Sequence, residues 1–316
     1  MILLLGASGY FGRAFGAELR WRGYDFIPLS RRALDYTRFE VLFDFVRRRR
    51  PEFIINAAGW NGSGNTDLAA AARAEYLAAN VILPQTIARV ALMTNTAWGH
   101  VSAGAIYAGA KVIADGRIRI ERDLSRLELR ELFAARPECF FGFTEWDAPN
   151  FTFRDAAHNF FSGTKALAEE VIRGQTRAYV WRPGIPFDDR PEAGNALAQP
   201  PAAGIASLTH VGDFVRACLN LWERQAAAGT YNIVNPGAVV LEELAGRCGR
   251  MAAPVVPAAC WNRGAEFYHC AGKAVRSHSL LDAAKLRAAG GELRPVAEAL
   301  AETLERWRGT PALAVA

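Results

Sequence analysis

The sequence contains few cysteines and no long hydrophobic run. Its 316 residues include five cysteines, an odd number with no Cys-x-x-Cys pair among them: Cys139, Cys218, Cys248, Cys260 and Cys270. This pattern excludes a disulfide framework and a cysteine-based zinc site, and it indicates reduced thiols. The apolar run at the N-terminus, "MILLL", is too short for a signal peptide or a membrane span. We therefore expect a cytoplasmic protein without membrane contact.

A strong excess of charge of one sign is also absent. The net charge is +5, and the longest basic run, Arg47–Arg50, has no interleaved aromatic residues and no second basic cluster. Such a run favours the solvated C-terminal end of a helix over a nucleic-acid patch, so we expect no nucleic-acid partner. The length suits one large α/β domain, or a cofactor domain with a smaller substrate lobe.

The first residues, "MILLLGASGYFGRAFGAELRW", have the order strand, glycine loop, helix. Met1–Leu5 reads as a buried parallel strand, and the spacing G-x-x-G-x-x-G follows it. Glycine at these positions permits a tight turn, the approach of a pyrophosphate to the backbone, and close helix–strand packing. The free N–H groups at the helix N-terminus then attract the anion. The predicted cofactor contacts in this loop are Gly6, Ser8, Gly9, Tyr10, Phe11 and Gly12.

The second predicted strand, "YDFIPLS", ends at a basic turn. Folds of this type that bind NAD place an acidic residue near this point to hold the ribose 2′-hydroxyl, whereas this chain has Ser30, Arg31 and Arg32. A guanidinium group suits a 2′-phosphate, which predicts a preference for NADP(H), with NAD(H) still possible. The alternative is a solvent-exposed basic turn without a ligand.

Two more strands are predicted before residue 60. The segment "ALDYT" is interpreted as a short third strand, with Asp35 as a further cofactor contact. The segment "PEFIINAAG" is interpreted as the fourth strand, ending in the cofactor contacts Asn56, Ala57, Ala58 and Gly59, whose small size lets a cofactor cross the sheet edge. Strands and helices alternate at short spacing, which predicts a doubly wound parallel α/β sheet, the Rossmann fold.

Several further motifs extend this pattern over nearly the whole chain. They include "VSAGAIYAG", "FTEWDAP", "SGTKALAEE", "WRPGIPF", "THVGDFVRA" and "YNIVNPG". Together with the N-terminal motifs they resemble the extended short-chain dehydrogenase/reductase family. The nearest branches are the dTDP-4-dehydrorhamnose reductases and the nucleotide-rhamnose synthase epimerase-reductases, which reduce the 4-keto group of a nucleotide-linked deoxysugar with NAD(P)H.

This resemblance also implies a domain division and the binding partners. A cofactor core is expected over residues 1–185, with its sheet continued by about 205–240, and residues 186–316 are expected to form mainly the substrate lobe. The expected partner is a nucleotide sugar, and a homodimer is a possible assembly. Ligands of such folds bind at the carboxyl ends of the strands, between the lobes.

The family mechanism implies where the chemistry would occur. A tyrosine donates a proton to the carbonyl oxygen, and a lysine four residues later lowers the tyrosine pKa and holds the nicotinamide ribose. Lys165 matches that lysine, but Phe161 stands at the tyrosine position. Ala103, next to Ser102, stands where the family has a hydroxyl residue, and Ala105 stands where its epimerising members have a cysteine.

Three accounts of this departure remain open. The protein could be a reductase with a relocated proton donor, a binding-only relative, or an engineered inactive variant. The relocated donor could be a water molecule or one of Ser102, Tyr107, Glu145, His158, Ser162 and Thr164.

The resemblance also implies contacts on the substrate side. Pro183, after Arg182 in "WRPG", lies at a strand end near the cofactor. Tyr107 and Glu145 match positions near the substrate. Arg276 is a candidate for the diphosphate, because a bidentate guanidinium fits phosphate oxygens. The alternatives are a packing role for Tyr107 and exposed surface positions for Glu145 and Arg276.

Overall fold

The structure of the chain is a computed structural model. The structure describes residues 1–60, 70–150, 160–190, 192, 194–198, 203–248 and 278–309. Two residues with predicted roles, His158 and Arg276, lie outside the described residues.

The described part of the chain alternates short strands with helices. The strands are β1 Ile2–Leu5, β2 Phe26–Leu29, β3 Phe53–Asn56, β4 Ala97–Val101, β5 Ala110–Ala114, β6 Arg117–Glu121, β7 Phe140–Phe141, β8 Ala178–Pro183, β9 Ile185–Phe187, β10 Ile205–Ala206, β11 Leu208–His210, β12 Gly229–Ile233 and β13 Val239–Val240. The α-helices are α1 Tyr10–Trp21, α2 Phe39–Arg49, α3 Ala70–Leu77, α4 Leu83–Thr94, α5 Leu127–Ala135, α6 Phe160–Ile172, α7 Val211–Glu223, α8 Leu241–Cys248, α9 Ala284–Ala288 and α10 Val296–Gly309. A π-helical turn, Ala78–Ile82, joins α3 to α4.

Six parallel strands form the central sheet, in the order β12-β8-β4-β3-β1-β2. Alternate side chains of each strand face opposite sides, as the pleat requires. Ile2 and Leu4 pack with side chains of α1 and α7 on one face, while Leu3 and Leu5 pack with side chains of α2, α4 and α6 on the other. Helices therefore cover both faces, and the predicted doubly wound parallel sheet is confirmed.

The predicted third strand, "ALDYT", is wrong. Residues 33–37 form a turn in which Asp35 accepts hydrogen bonds from the backbone N–H and the hydroxyl of Thr37. The backbone N–H groups of Ala33 and Leu34 both turn back to the carbonyl oxygen of Ser30. A short acidic side chain that bonds to the backbone two residues later stabilises a turn in place of a strand. The third strand along the chain is therefore β3, Phe53–Asn56, which the sequence predicts as the fourth.

From β5 onward, the described part of the chain forms three small sheets and returns to the central sheet twice, at β8 and at β12. β9 pairs with β11, β10 pairs with β13, and β5 lies between β6 and β7. A separate apolar core joins β9 and β11 to α8 and α10. β12 pairs with β8 at the end of the central sheet, as "YNIVNPG" predicted. The division of the chain into residues 1–185 and 186–316 stays a prediction.

One helical stretch, Arg73–Thr94, is long and apolar enough to cross a membrane by length and composition. Half of it is buried inside the fold, where Ile87 and Val90 contribute to the core beneath the central sheet. A core helix passes the same test, so this feature is weak evidence for a membrane span.

Candidate functional site

The glycine loop between β1 and α1 is shaped by its own backbone. Gly6 has φ +73°, a region that favours glycine, and a Cβ there would overlap the backbone of Ala58. A Cβ on Gly12 would overlap the carbonyl oxygen of Gly6. Ser8 and Gly9 are exposed, and Gly9, the N-cap residue of α1, has no side chain that could cap the helix. The first N–H groups of this helix therefore face outward, where an anion can bind them.

Two glycine substitutions should separate the fold of this loop from its binding role. A Cβ on Gly9 would lie 3.4 Å from the carbonyl oxygen of Gly6, an ordinary contact, whereas on Gly12 it would overlap that oxygen. We expect Gly12→Ala to lower the melting temperature measurably. Gly9→Ala should leave the melting temperature unchanged but weaken nicotinamide dinucleotide binding, because the methyl group enters the space predicted for the pyrophosphate. Thermal scans with and without cofactor test this pair, and equal melting temperatures for both variants would contradict it.

The two aromatic residues of this loop, Tyr10 and Phe11, turn their rings into the protein. The ring of Phe11 packs 4.9 Å from that of Phe214, and the guanidinium of Arg190 lies 5.4 Å from the ring of Tyr10. Their backbone N–H groups, at the start of α1, are the groups available to a cofactor.

The basic turn after β2 lies beside the glycine loop. The backbone N–H of Ala7 donates to the carbonyl of Leu29, which immediately precedes Ser30. Arg31 and Arg32 are exposed, and the electrostatic field of Arg31 acts on Tyr36, a buried tyrosine whose pKa is raised by burial. The turn is thus at the same edge of the sheet as the glycines.

The end of β3 is held in place by two buried asparagines. Asn56 accepts a hydrogen bond from the N–H of Ala58 at 3.1 Å, and its amide nitrogen lies 3.0 Å from Nδ1 of His100. Asn80 bonds to both the N–H and the carbonyl of Trp60, each at 2.8 Å, so it holds the chain just beyond Gly59. Asn80 also donates to the hydroxyl of Thr164 on α6 at 3.1 Å.

Asn80 has no predicted role from the sequence, where no motif distinguishes it within a largely apolar helical stretch. Its signal is structural, because it lies in the π-helical turn between α3 and α4, a distortion found frequently at functional sites. This residue links the loop after β3 to the helix that carries Lys165.

Lys165 lies between the carboxyl ends of β3 and β4. Its ammonium group donates to the carbonyl of Val101 at 2.9 Å, and a Cβ on Gly59 would lie 3.3 Å from its Nζ. The side chain is 4% exposed, and burial lowers its pKa from 10.5 to about 8, opposed by the charge of Glu169. The Nζ atom is 5.7 Å from the centre of the Phe161 ring, so the two share one helix face as their spacing predicted.

The two positions before the 3₁₀ turn at Gly104–Ile106 differ in character. Ser102 donates its hydroxyl to the carboxylate of Glu169, while Ala103 is buried and has no polar side-chain atom. Pro183, at the end of β8, lies next to this turn, because a Cβ on Gly104 would lie 2.9 Å from its carbonyl oxygen. The structure therefore brings Ser102, Ala103 and Pro183 to the same edge as Lys165.

A buried ion pair lies directly behind Lys165. Arg182 donates to both carboxylate oxygens of Glu169, from its Nε at 3.0 and 3.1 Å, and the two side chains are only 6% and 8% exposed. Arg182 also donates to the hydroxyl of Tyr107 at 2.9 Å. Glu169 had no predicted role, although its position one helical turn after Lys165 is a signal for a shared face.

The two described substrate candidates both have internal partners. The hydroxyl of Tyr107 donates to the backbone carbonyl of Asp147 at 2.7 Å, and burial raises its pKa to about 12. The carboxylate of Glu145 accepts the backbone N–H of Asn232 at 2.7 Å, on the outer edge of β12, and burial raises its pKa as well. Their roles toward a substrate stay predictions.

Two other candidate donors lie on α6. Thr164 donates its hydroxyl to the carbonyl of Phe161 at 2.8 Å. The hydroxyl oxygen of Ser162 is buried, without a hydrogen-bond partner among the described residues.

The buried charge of Lys165 predicts a trade-off between stability and binding. An unfolded lysine holds its proton up to about pH 10.5, whereas the folded side chain loses it near pH 8. The unfolded state therefore binds more protons between these values, so the unfolding free energy rises with pH through that window.

We accordingly expect Lys165→Met to be more stable than the parent at pH 7, with a difference that shrinks as the pH rises from 8 toward 10.5. Its affinity for a nicotinamide cofactor should fall. Denaturant unfolding at several pH values measures the first effect and titration calorimetry the second. A stability difference that does not change with pH would contradict the assigned cost of the buried ammonium.

The chain resembles known proteins in sequence over its first part and in fold over nearly its whole length. The family model of the RmlD substrate binding domain matches residues 1–119. No curated protein matches the chain in sequence. A UDP-rhamnose synthase from Acanthamoeba polyphaga mimivirus superposes with a TM-score of 0.75 at 16% identity, covering 96% of this chain and 98% of the other.

Two further solved structures show the same fold. A dTDP-4-dehydrorhamnose reductase from Bacillus anthracis, in complex with NADP, has a TM-score of 0.71 at 19% identity and covers 97% of this chain and 98% of the other. A UDP-glucose 4-epimerase from Thermus thermophilus, in complex with NAD, has a TM-score of 0.64 at 16% identity and covers 98% and 99%. The chain thus shares the fold of these structures along nearly its whole length, including the Rossmann sheet, and its first 119 residues match the RmlD family model, in agreement with the resemblance that its motifs predicted.

Proposed function

We propose that this protein is a nicotinamide-dependent oxidoreductase of the nucleotide-sugar type, with atypical or impaired proton donation. Its reaction would be the reduction of a 4-keto-deoxysugar nucleotide. The observation that carries the proposal is the position of Lys165, with its ammonium group between the ends of β3 and β4 and with Phe161 on the same helix face. The similarity to reductases and synthases of nucleotide-linked sugars supports the substrate class.

The residues present fit a nicotinamide dinucleotide. The glycine loop offers uncapped N–H groups and leaves no room for side chains at Gly6 and Gly12, which suits a pyrophosphate. The buried ammonium of Lys165 lies farther along the same edge, between β3 and β4, where it would hold the nicotinamide ribose. When bound, the cofactor supplies the hydride, and the protein binds, orients and shields the reacting groups.

The site lacks the usual proton donor for this reaction. Reduction of a carbonyl adds a hydride to carbon and a proton to oxygen. The Phe161 ring has no acidic proton, Ala103 has no polar atom, and the hydroxyl of Ser102 is already donated to Glu169. Binding and orientation can persist in this site, because the contact of Lys165 with a ribose does not need a phenol.

A binding-only relative is the second candidate, and an engineered inactive variant is the third. The observation that favours both is the absence of polar groups at Phe161 and Ala103 while Lys165 and the glycine loop remain. Ala105 favours natural divergence over an engineered variant, because a pure reductase does not need a cysteine there. The cytoplasmic location and the role of Arg276 in diphosphate binding belong to the same proposal.

One set of measurements distinguishes these candidates. Titration calorimetry with NADPH, NADH and a panel of nucleotide sugars measures the occupancy of each pocket, and the oxidation of NADPH with a 4-keto-deoxysugar nucleotide measures turnover. We expect both ligands to bind and turnover to be slow. Binding without any turnover would identify a binding-only or inactivated protein, and the failure of every nicotinamide cofactor to bind would overturn the proposal.

We further propose that NADP(H) is preferred over NAD(H) through Ser30, Arg31 and Arg32. Arg31→Ala should weaken NADPH binding about tenfold or more, the value of a charge-assisted hydrogen bond, and should leave NADH binding unchanged. Arg47→Ala, which removes an equal charge from an exposed position at the end of α2, is the matched control. Equal affinities for both cofactors in the parent, unaltered by Arg31→Ala, would show that the turn does not select the cofactor.

A further inference from the structure

The hairpin formed by β5 and β6 presents an unusual outer edge. β6 is the last strand of its small sheet, and no described strand pairs with its other side. Four of its five residues are exposed, and Ile118 and Ile120 are 67% and 53% exposed. A free edge that carries exposed isoleucines is a template for pairing with another strand, and proteins usually protect such edges.

We propose that β6 pairs antiparallel with β6 of a second copy, about a two-fold axis at Arg119, and forms a homodimer with a continuous six-stranded sheet. This inference does not depend on the proposed reaction, because the edge lies on a separate sheet.

The geometry of the hairpin directs the free backbone groups outward. Its turn, Asp115-Gly116, has positive φ at both residues, which is typical of a two-residue hairpin. Ala114 and Arg117 close this turn, so they form a hydrogen-bonded pair, and pairs alternate along the ladder. The N–H and C=O groups of Ile118 and Ile120 therefore point away from β5, toward a partner strand.

The sequence of β6, Arg-Ile-Arg-Ile-Glu, is complementary to itself in this register. With the axis at Arg119, Arg117 of one copy faces Glu121 of the other, and Ile118 faces Ile120. Both pairs occur twice by symmetry. Arg117 has no ion-pair partner among the described residues, while the Glu121 carboxylate lies 3.6 Å from the Arg126 guanidinium and its side chain is 28% exposed. This register uses all five residues of both strands.

The same pairing would bring apolar side chains of the two copies into contact across the new strand pair. Ile118 and Ile120 share one face of the small sheet with Ile113, their neighbour on β5, and with Phe141 on β7. Ile113 and Phe141 are 36% and 44% exposed. In the dimer, Ile118 of each copy would lie beside Ile120 of the other on this face, while the Arg117–Glu121 pairs would lie on the opposite face of the joined sheet.

The one unfavourable contact in this dimer is Arg119 against its own copy at the axis. This side chain is exposed, so the two guanidinium groups can turn apart into solvent. We expect Arg119→Thr to strengthen the dimer, because like charges directly opposite each other on paired strands are destabilising.

A charge-swap experiment on the full-length protein tests the proposal. Sedimentation analysis over a range of micromolar concentrations measures the dimer dissociation constant of the parent. Glu121→Arg alone and Arg117→Glu alone should each weaken the dimer about tenfold or more, since each change places like charges opposite each other at two symmetric sites. The double variant Arg117→Glu/Glu121→Arg should restore the parent value. Asp25→Arg, an equal charge change at an exposed position outside the hairpin, should have no effect.

The outcomes that would overturn the proposal are distinct. A parent that stays monomeric at every concentration excludes the dimer. A dimer that none of the variants affects uses another surface. If both single variants weaken the dimer and the double variant does not restore it, the strands pair in another register or not at all. Thermal scans of each variant exclude unfolding as the cause of a lost dimer.

Discussion

Phe161→Tyr is expected to raise the rate of 4-keto sugar reduction by a factor of about 100 or more, the usual contribution of a positioned general acid. The new hydroxyl would share a helix face with Lys165, whose Nζ lies 5.7 Å from the centre of the present ring. The positive charge of Lys165 would lower the pKa of that phenol and favour proton transfer. Phenylalanine and tyrosine have nearly the same shape, so the pocket should accept the change.

The matched control for this prediction is the neighbouring residue. Phe160→Tyr adds the same hydroxyl one position earlier, where the ring packs 5.7 Å from Tyr76 and away from Lys165. It should leave the rate unchanged. Ala103→Thr, combined with Phe161→Tyr, should increase the rate further, because it would place a hydroxyl at the position that we propose to face the substrate oxygen.

A different result would identify another proton donor. If the parent already turns over well and Phe161→Tyr leaves its rate unchanged, a relocated acid is at work. His158 and Glu145 would then be substituted one at a time, and the rate followed against pH. A controlling pKa between about 5 and 8 would indicate the histidine. No response to either substitution would leave water as the donor.

The second large effect concerns the ion pair behind Lys165. Glu169→Ala is expected to lower the free energy of unfolding by about 3–5 kcal/mol, because it leaves the guanidinium of Arg182 buried without its counter-charge. The two side chains are 6% and 8% exposed and share several hydrogen bonds. Ser102 would lose the acceptor of its hydroxyl in the same step.

Two further variants test whether the stability loss of Glu169→Ala comes from leaving a buried charge unpaired. The double variant Glu169→Leu/Arg182→Met should lose much less stability than the two single changes add up to, since an apolar pair can replace a buried ion pair. Asp44→Ala removes an exposed helix pair with Arg48, which contributes at most about 0.5 kcal/mol. Denaturant unfolding measures all of them. A loss for Glu169→Ala as small as that for Asp44→Ala would show that solvent reaches Arg182.

Local sequence alone indicated the elements that depend on short-range rules. The glycine loop, the buried run of β1 and the lysine one turn from Phe161 could be predicted, because turns, strand runs and helix faces repeat at fixed spacings. The departure at Phe161, Ala103 and Ala105 could also be read directly, since it concerns which residue stands at a position. The strand predicted at residues 33–37 is wrong, because Asp35 bonds to the nearby backbone and stabilises a turn.

Other features depend on contacts between residues far apart in the chain. Asn80 holds Trp60 and Thr164, and Glu169 joins Ser102 to Arg182; none of these partners is adjacent in sequence. Glu145 also bonds to a distant residue, because its carboxylate accepts the backbone N–H of Asn232 on β12. Residue type and spacing carry no information about such pairs, because only the packing of helices on the sheet determines which polar groups are buried together and must bond to each other.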